Sequence, residues 1–302
     1  MSDSPNEVLK KILVDPSDPK EGVFDFGKDS EQSKFYKELF SEDLERVAVG
    51  TKFEEAKSNS ESIHKEMDSL MDSLRHQLSS DAIVIEIGGG VFQNRCGNAV
   101  DKFANYFPLD ISFSSIARYS NAYGRPGVVA DATNLPILND SVDCVFTHTF
   151  LEHPLEPDKV VSEIARIVKP GGLVVHRDAW HCRWWHRFGC VRLKSWSEMT
   201  LKEKLVVAAA KFTELPLVRF PPLLAKRAVA SLLPRGDTLK FKRLSPNYEL
   251  HLGCDEDAAS SIDPINVVRF YEFHGFELVT TLSLKQRILF RQSQVILRKA
   301  SK

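Results

Sequence analysis

The most constraining stretch of this chain is Ala82–Ile87, a short and nearly unbroken apolar run rich in Ile and Val that ends in Gly88-Gly89-Gly90. A run without polar alternation is buried on both faces, as the central strands of a parallel sheet are. Glycines directly behind it let the backbone turn sharply and come close to a ligand, with the amides of the next helix facing it. Similar runs recur at Ala104–Leu109, Gly127–Ala130, Cys144–Thr147 and Leu173–His176. Helical segments lie between them, most clearly Asp158–Lys169, where Val160, Val161, Ile164, Ile167 and Val168 form one face. Lys169-Pro170-Gly171-Gly172 reads as that helix's stop. This alternation predicts an α/β fold with a doubly wound, Rossmann-like sheet of about seven strands.

The flanks are organised differently. Residues 1–30, rich in Asp, Ser, Pro and Lys, read as a loosely ordered lead-in where only Leu9–Val14 and Val23–Phe26 can pack. Helical spacing follows in Phe35, Tyr36, Leu39 and Phe40, and in Ile63, Met67, Leu70, Met71 and Leu74. After Asp178 the alternation lapses until a helix at Asn266–His274 and two β-rich runs, Phe276–Leu284 and Gln294–Leu297. The expected organisation is an N-terminal extension (1–75), partly disordered and then helical, and a core (76–180). A helical basic insertion or lid (181–262) follows, and then a helix and strands (263–302) that complete the sheet.

Composition bounds the function. With 43% hydrophobic and 27% charged residues and a formal net charge of -1, the chain is ordinary globular protein with no overall preference for nucleic acid or membrane. Five scattered cysteines suggest reduced thiols, and neither a signal core nor an apolar stretch of about 18 residues is found, so a soluble cytoplasmic protein is expected. The average hides a basic segment: Arg177–Arg243 holds 15 Lys/Arg against 5 Asp/Glu. Within it, Leu201–Phe212 and Leu223–Leu233 are apolar helical stretches carrying Lys and Arg, separated by Pro216, Pro221 and Pro222. The plain reading is a lid with a solvated basic face. The sharper one is contact with an anionic membrane surface, or with a lipid- or phosphate-bearing acceptor.

The glycine loop alone says little. A dinucleotide fingerprint needs Gly where Gln93 stands, and a phosphate loop needs Gly-Lys-Ser/Thr, which is absent. Carboxylates then follow at strand ends. Asp110 is placed either to accept from ribose hydroxyls or to cap the next helix, and Asp131-Ala132 closes the next strand. Asp143–Thr147 leads into His148-Thr149-Phe150-Leu151-Glu152-His153, and Pro170-Gly171-Gly172 precedes another strand. In this order, from about Ala82 to Asp178, these pieces resemble the class I S-adenosylmethionine-dependent methyltransferases, specifically the type 11 group. The resemblance implies S-adenosylmethionine as cofactor, with Glu86, Gly88 and Gly90 around its methionine and ribose. Asp110 would take the ribose hydroxyls, Asp131 and Ala132 the adenine, and Thr147 and His148 would line the methionine side. Phe92 departs from the group's third glycine.

Methyl transfer to a small-molecule, sugar or lipid-linked oxygen or nitrogen is the function so implied. The alternatives are a macromolecular acceptor (RNA or protein), or a scaffold that binds the cofactor without turnover. Nucleic acid is not expected as a partner: there is no Asn/Asp-Pro-Pro-aromatic tetrad. Base candidates come from the sheet's carboxyl edge, His153 and His148 first, then His176, Asp178 and His181. His176, His181, Cys182, His186 and Cys190 lack zinc spacing, so no metal is expected, and the interleaved Trp180, Trp184 and Trp185 read as a wall over the acceptor pocket. Asp255-Glu256-Asp257 reads first as a helix cap and second as a group facing an amine or sugar acceptor. Residues 1–30 faintly resemble a zinc-ribbon lead without its cysteines.

Overall fold

The computed structural model describes residues 3–28, 30–39, 65, 67–89, 99–185, 194–248, 257–292 and 294–301. Eight strands form the main sheet, in the order β1 (Val23–Asp25), β4 (Gly127–Val129), β3 (Asn105–Asp110), β2 (Ile83–Ile87), β5 (Val142–His148), β6 (Val168–Arg177), β10 (Val295–Lys299), β9 (Phe276–Leu278). The first six are parallel, and β10 runs antiparallel to both its neighbours. Helices Ala99–Lys102, Phe113–Tyr123 and Pro157–Ile167 supply crossovers. The central strands are apolar throughout because both faces are covered. Ile85, Phe107, Val145 and Val174 pack in one core, and Val84, Tyr106, Phe146 and Val175 pack in the other. Chain order reverses around β2, which pairs with β3 on one side and β5 on the other. A crevice opens at such a switch point, at the carboxyl ends of the strands.

Three local readings change. The sheet has eight strands rather than about seven because the lead-in joins it. Ser4 caps the helix Pro5–Ile12 with a full capping box, Leu9, Ile12 and Leu13 are buried, and β1 pairs in parallel with β4. Enough apolar surface is buried there to order a segment that is otherwise polar. Pro170-Gly171-Gly172 lies inside β6, not before it. Val142 is opposite Val168 and Cys144 opposite Leu173, so the intervening residues form an irregularity that Gly171, at φ +81°, accommodates. The run from Phe276 stops as a strand at Leu278, since Ser283 and Gln286 form a capping box that starts the helix Leu284–Ile288.

The insertion holds the helices Leu201–Glu214 and Pro216–Leu232, the latter continuing through Pro221 and Pro222. It also holds an antiparallel ribbon of β7 (Phe241–Arg243) and β8 (Ser260–Ile262). The helix Pro264–Phe273 follows, capped by Asp263, whose side chain accepts from the Ile265 amide.

Candidate active site

A cavity of about 780 Å³ lies at the carboxyl ends of β2, β3, β4 and β5. Its floor is the turn after β2. Gly88 sits at φ +78° and its N–H donates to Leu109 O at 2.8 Å, folding the chain back over the end of β3. A Cβ on Gly88 would lie 2.5 Å from the Phe150 ring, and one on Gly89 2.9 Å from the Glu86 carboxylate. Gly88 is therefore required both by close approach and by conformation, whereas a side chain at Gly89 would displace the flexible Glu86 carboxylate. Gly88→Ala is expected to cost about 1–3 kcal/mol of stability, read from urea unfolding; an unchanged midpoint would overturn both the steric and the conformational argument.

Of the residues singled out in the sequence, Glu86, Gly88, Asp110, Asp131, Ala132, His148 and His153 line this cavity. Asp110 lines the cavity and its Oδ1 accepts the Ser112 amide at 2.9 Å; it does not cap the following helix, whose N-cap is Ser112 with no side-chain cap. Asp131 Oδ1 likewise accepts from Thr133 N at 2.9 Å and Oγ1 at 2.8 Å, which fixes its carboxylate at the rim. Gly90 and Phe92 lie outside the described residues.

Thr147 does not line the cavity. It is fully buried beside His176 in the sheet, and its Oγ1 is 2.8 Å from His176 Nδ1 and 2.9 Å from Asp178 Oδ2. An ionised carboxylate can only accept, so the hydroxyl donates to Asp178 and accepts from His176, whose Nε2 meets the Tyr271 hydroxyl at 3.1 Å. Burial works to raise the Asp178 carboxyl, but the hydrogen bond and charge of His176 and the amides of Leu151 and Phe150 outweigh it and hold it below its ordinary value. His176 and Asp178 thus shape the turn after β5, where Thr149 is held at φ +45°. Neither faces the cavity.

That turn presents His153. Its Nδ1 is 3.0 Å from Asp257 Oδ2 and its Nε2 3.7 Å from the buried Glu152 carboxylate. Tyr36, edge-on to the imidazole, donates its hydroxyl to Asp257 Oδ2 at 2.6 Å, and Gln32 Nε2 donates to His153 O at 2.9 Å. Burial and then the Asp257 charge push the Tyr36 phenol well above its usual range, so it remains a donor. The backbone of Glu152 is tied to the insertion by the amides of Ala259 at 2.9 Å and Ser260 at 3.0 Å. Asp257 is therefore a cavity residue and not a helix cap, a role Asp263 fills. Asp255 and Glu256 lie outside the described residues. Tyr36, Gln32 and Tyr248 also line the cavity, and the sequence marks none of them. Tyr36 is indistinguishable there from the apolar stripe around it.

The tryptophan wall is not found. Trp180, Trp184 and Trp185 are absent from the lining; Trp180 packs on the core and Trp185 is buried edge-on against Trp184. His181 sits instead beside Arg227, its Nε2 3.3 Å from Nη2. Among the described residues no three metal-ligating side chains converge.

Residues 85–176 match the methyltransferase domain family. Malonyl-[acyl-carrier protein] O-methyltransferases from Marinomonas sp. and Methylococcus capsulatus are 37% identical over 71 residues and 31% identical over 113. These matches cover 22% and 35% of this chain, and only 26% and 40% of those relatives' lengths. SAM-bound CalS10, an amino pentose methyltransferase from Micromonospora echinaspora, is 18% identical, over 43% of this chain and 57% of that one, with a TM-score of 0.36. Over residues 85–176 the chain carries a methyltransferase domain.

Proposed function

We propose that the protein transfers the methyl group of S-adenosylmethionine to an oxygen or nitrogen of a small-molecule, sugar or lipid-linked acceptor, in line. The observation that carries this reading is the convergence of Gly88, Glu86, Asp110 and Asp131 with His153 around one switch-point cavity. The cavity falls within the usual 300–1,000 Å³ of ligand sites, enough for a cofactor with a small acceptor group beside it.

The cofactor, when bound, supplies a sulfonium that makes its methyl carbon electrophilic, so the protein's work is alignment, water exclusion and removal of the acceptor's proton. Asp110 accepts from ribose hydroxyls, Asp131 from the adenine amino group, and Ala132 and Gly88 give close apolar contact. The carboxylates of Glu86, Asp110, Asp131 and Asp257 set a negative field suited to a cationic ligand. His153 takes the acceptor's proton, and Asp257 with Tyr36 holds its ring. His148 is the second candidate for that step.

Calorimetry with S-adenosylmethionine tests the cofactor half. Asp110→Ala is expected to weaken binding about 10- to 100-fold, the range for one or two charge-assisted hydrogen bonds; unchanged affinity overturns the assignment. Tritium-methyl transfer into a cell extract tests the second half, and binding without a labelled acceptor would favour a scaffold.

A further inference from the structure

The two insertion helices contribute little to the core: Ala210 and Arg227 are their only buried residues. They are nevertheless apolar. Leu201, Leu205 and Phe212 fall on one face of the first helix, and Pro222, Ala225, Val229 and Leu232 on one face of the second, all of them exposed. Leu217, in the first turn of the second helix, is 90% exposed and Leu232 78%. Monomeric water-soluble proteins rarely display large apolar side chains at this density.

The charges beside them identify what covers this face. Lys202, Lys211 and Lys226 are exposed, each next to Leu201, Phe212 or Ala225. The helix pair contains only two acids, and one of these, Glu203, is neutralised by Lys194 at 2.6 Å. In a two-fold contact of this face with itself, these lysines would meet a surface of the same sign. The fitting partner is apolar within and anionic at its rim, which describes an anionic bilayer surface. Among the described residues no helix is long and apolar enough to cross a membrane, so contact is interfacial.

We propose that the helix pair 201–232 docks the protein on anionic phospholipid membranes. The exposed Leu and Phe side chains enter the acyl boundary, while the lysines reach the headgroup phosphates. This goes beyond the methyl-transfer reading and does not depend on it.

Co-sedimentation of the full chain with phosphatidylcholine vesicles, with and without phosphatidylglycerol, tests it. Pelleting is expected with the anionic vesicles at low salt and should fall as salt rises. Joint replacement of Leu205, Leu217 and Leu232 by Gln should lower partitioning by about tenfold or more for each leucine. Lys202→Gln, Lys211→Gln and Lys226→Gln should each lower it about fivefold. These positions are exposed, so urea midpoints should match the parent chain, and the parent chain alone already decides the question. Protein left in the supernatant with anionic vesicles at low salt, equal pelleting with uncharged vesicles, or a dimer in sedimentation equilibrium that the leucine variants dissociate overturns the proposal.

Discussion

Replacing His153 by Gln is expected to slow methyl transfer about 10²- to 10⁴-fold, the usual worth of a positioned general base, while calorimetric affinity for S-adenosylmethionine stays within a few fold. The expectation follows from where the imidazole sits, on the cavity wall with Nδ1 3.0 Å from Asp257 Oδ2. Asp257→Asn should cost less, because Asp257 orients the ring and does not take the proton itself, and Tyr36→Phe less again. Acid sensitivity separates positioning from mere structure. Burial works to raise the Asp257 carboxyl, but the His153 charge and the hydrogen bonds from His153 and Tyr36 outweigh it, leaving it below its ordinary value. A lowered carboxyl stabilises the fold fully above the unfolded value of about 4, and that contribution disappears as pH falls through the folded value. Urea midpoints of Asp257→Asn should therefore lose part of their acid dependence. Full activity of His153→Gln would falsify the assignment.

Arg227→Leu is expected to destabilise the protein by about 3–5 kcal/mol, the cost of leaving a buried ion without its partner. Its Nε and Nη2 reach Asp263 at 3.0 Å, and its Nη1 donates to Phe290 O at 2.7 Å and Ile288 O at 3.3 Å. Both side chains are buried, so the loss strands a carboxylate and two carbonyls together. Joint replacement of Arg227 and Asp263 by Leu should recover only the part due to the stranded carboxylate, because the Ile288 and Phe290 carbonyls stay unpaired and the helix from Pro264 loses its cap. His181 beside them is lowered to about 4, chiefly by burial and by nearby cations against the pull of Asp263, so it stays neutral at pH 7 and adds no second charge. Urea unfolding measures both variants; a single-variant loss within error would mean that water replaces the guanidinium.

The parts of the fold legible in the sequence are those fixed by short-range pattern. Val84–Gly89 announces a doubly covered strand and a turn, and chain order alone puts the carboxylates of Asp110 and Asp131 at the ends of β3 and β4. The resemblance put Thr147 beside His148 on the methionine side, but adjacent strand residues point to opposite faces, and here a buried histidine and aspartate claim the hydroxyl. The lead-in strand was hidden because three residues carry too weak a signal against their polar surroundings. Asp257 was legible only as the second reading of an acidic cluster, and its pairing was not legible at all: its partner Tyr36 lies 221 residues away, and no local spacing encodes such a contact. The apolar content of the insertion was visible, but exposure, which gives it meaning, is a property of packing alone.

The hydrogen bond between Tyr36 and Asp257 also sets a schedule. During synthesis at roughly 5–20 residues per second, Tyr36 leaves the ribosome about 10 to 45 s ahead of its partner. The strands of the methyltransferase core emerge within that interval, whereas the wall that holds His153 closes only afterwards. A nascent chain can thus gather its cofactor-facing turns while it still lacks the means to position its base.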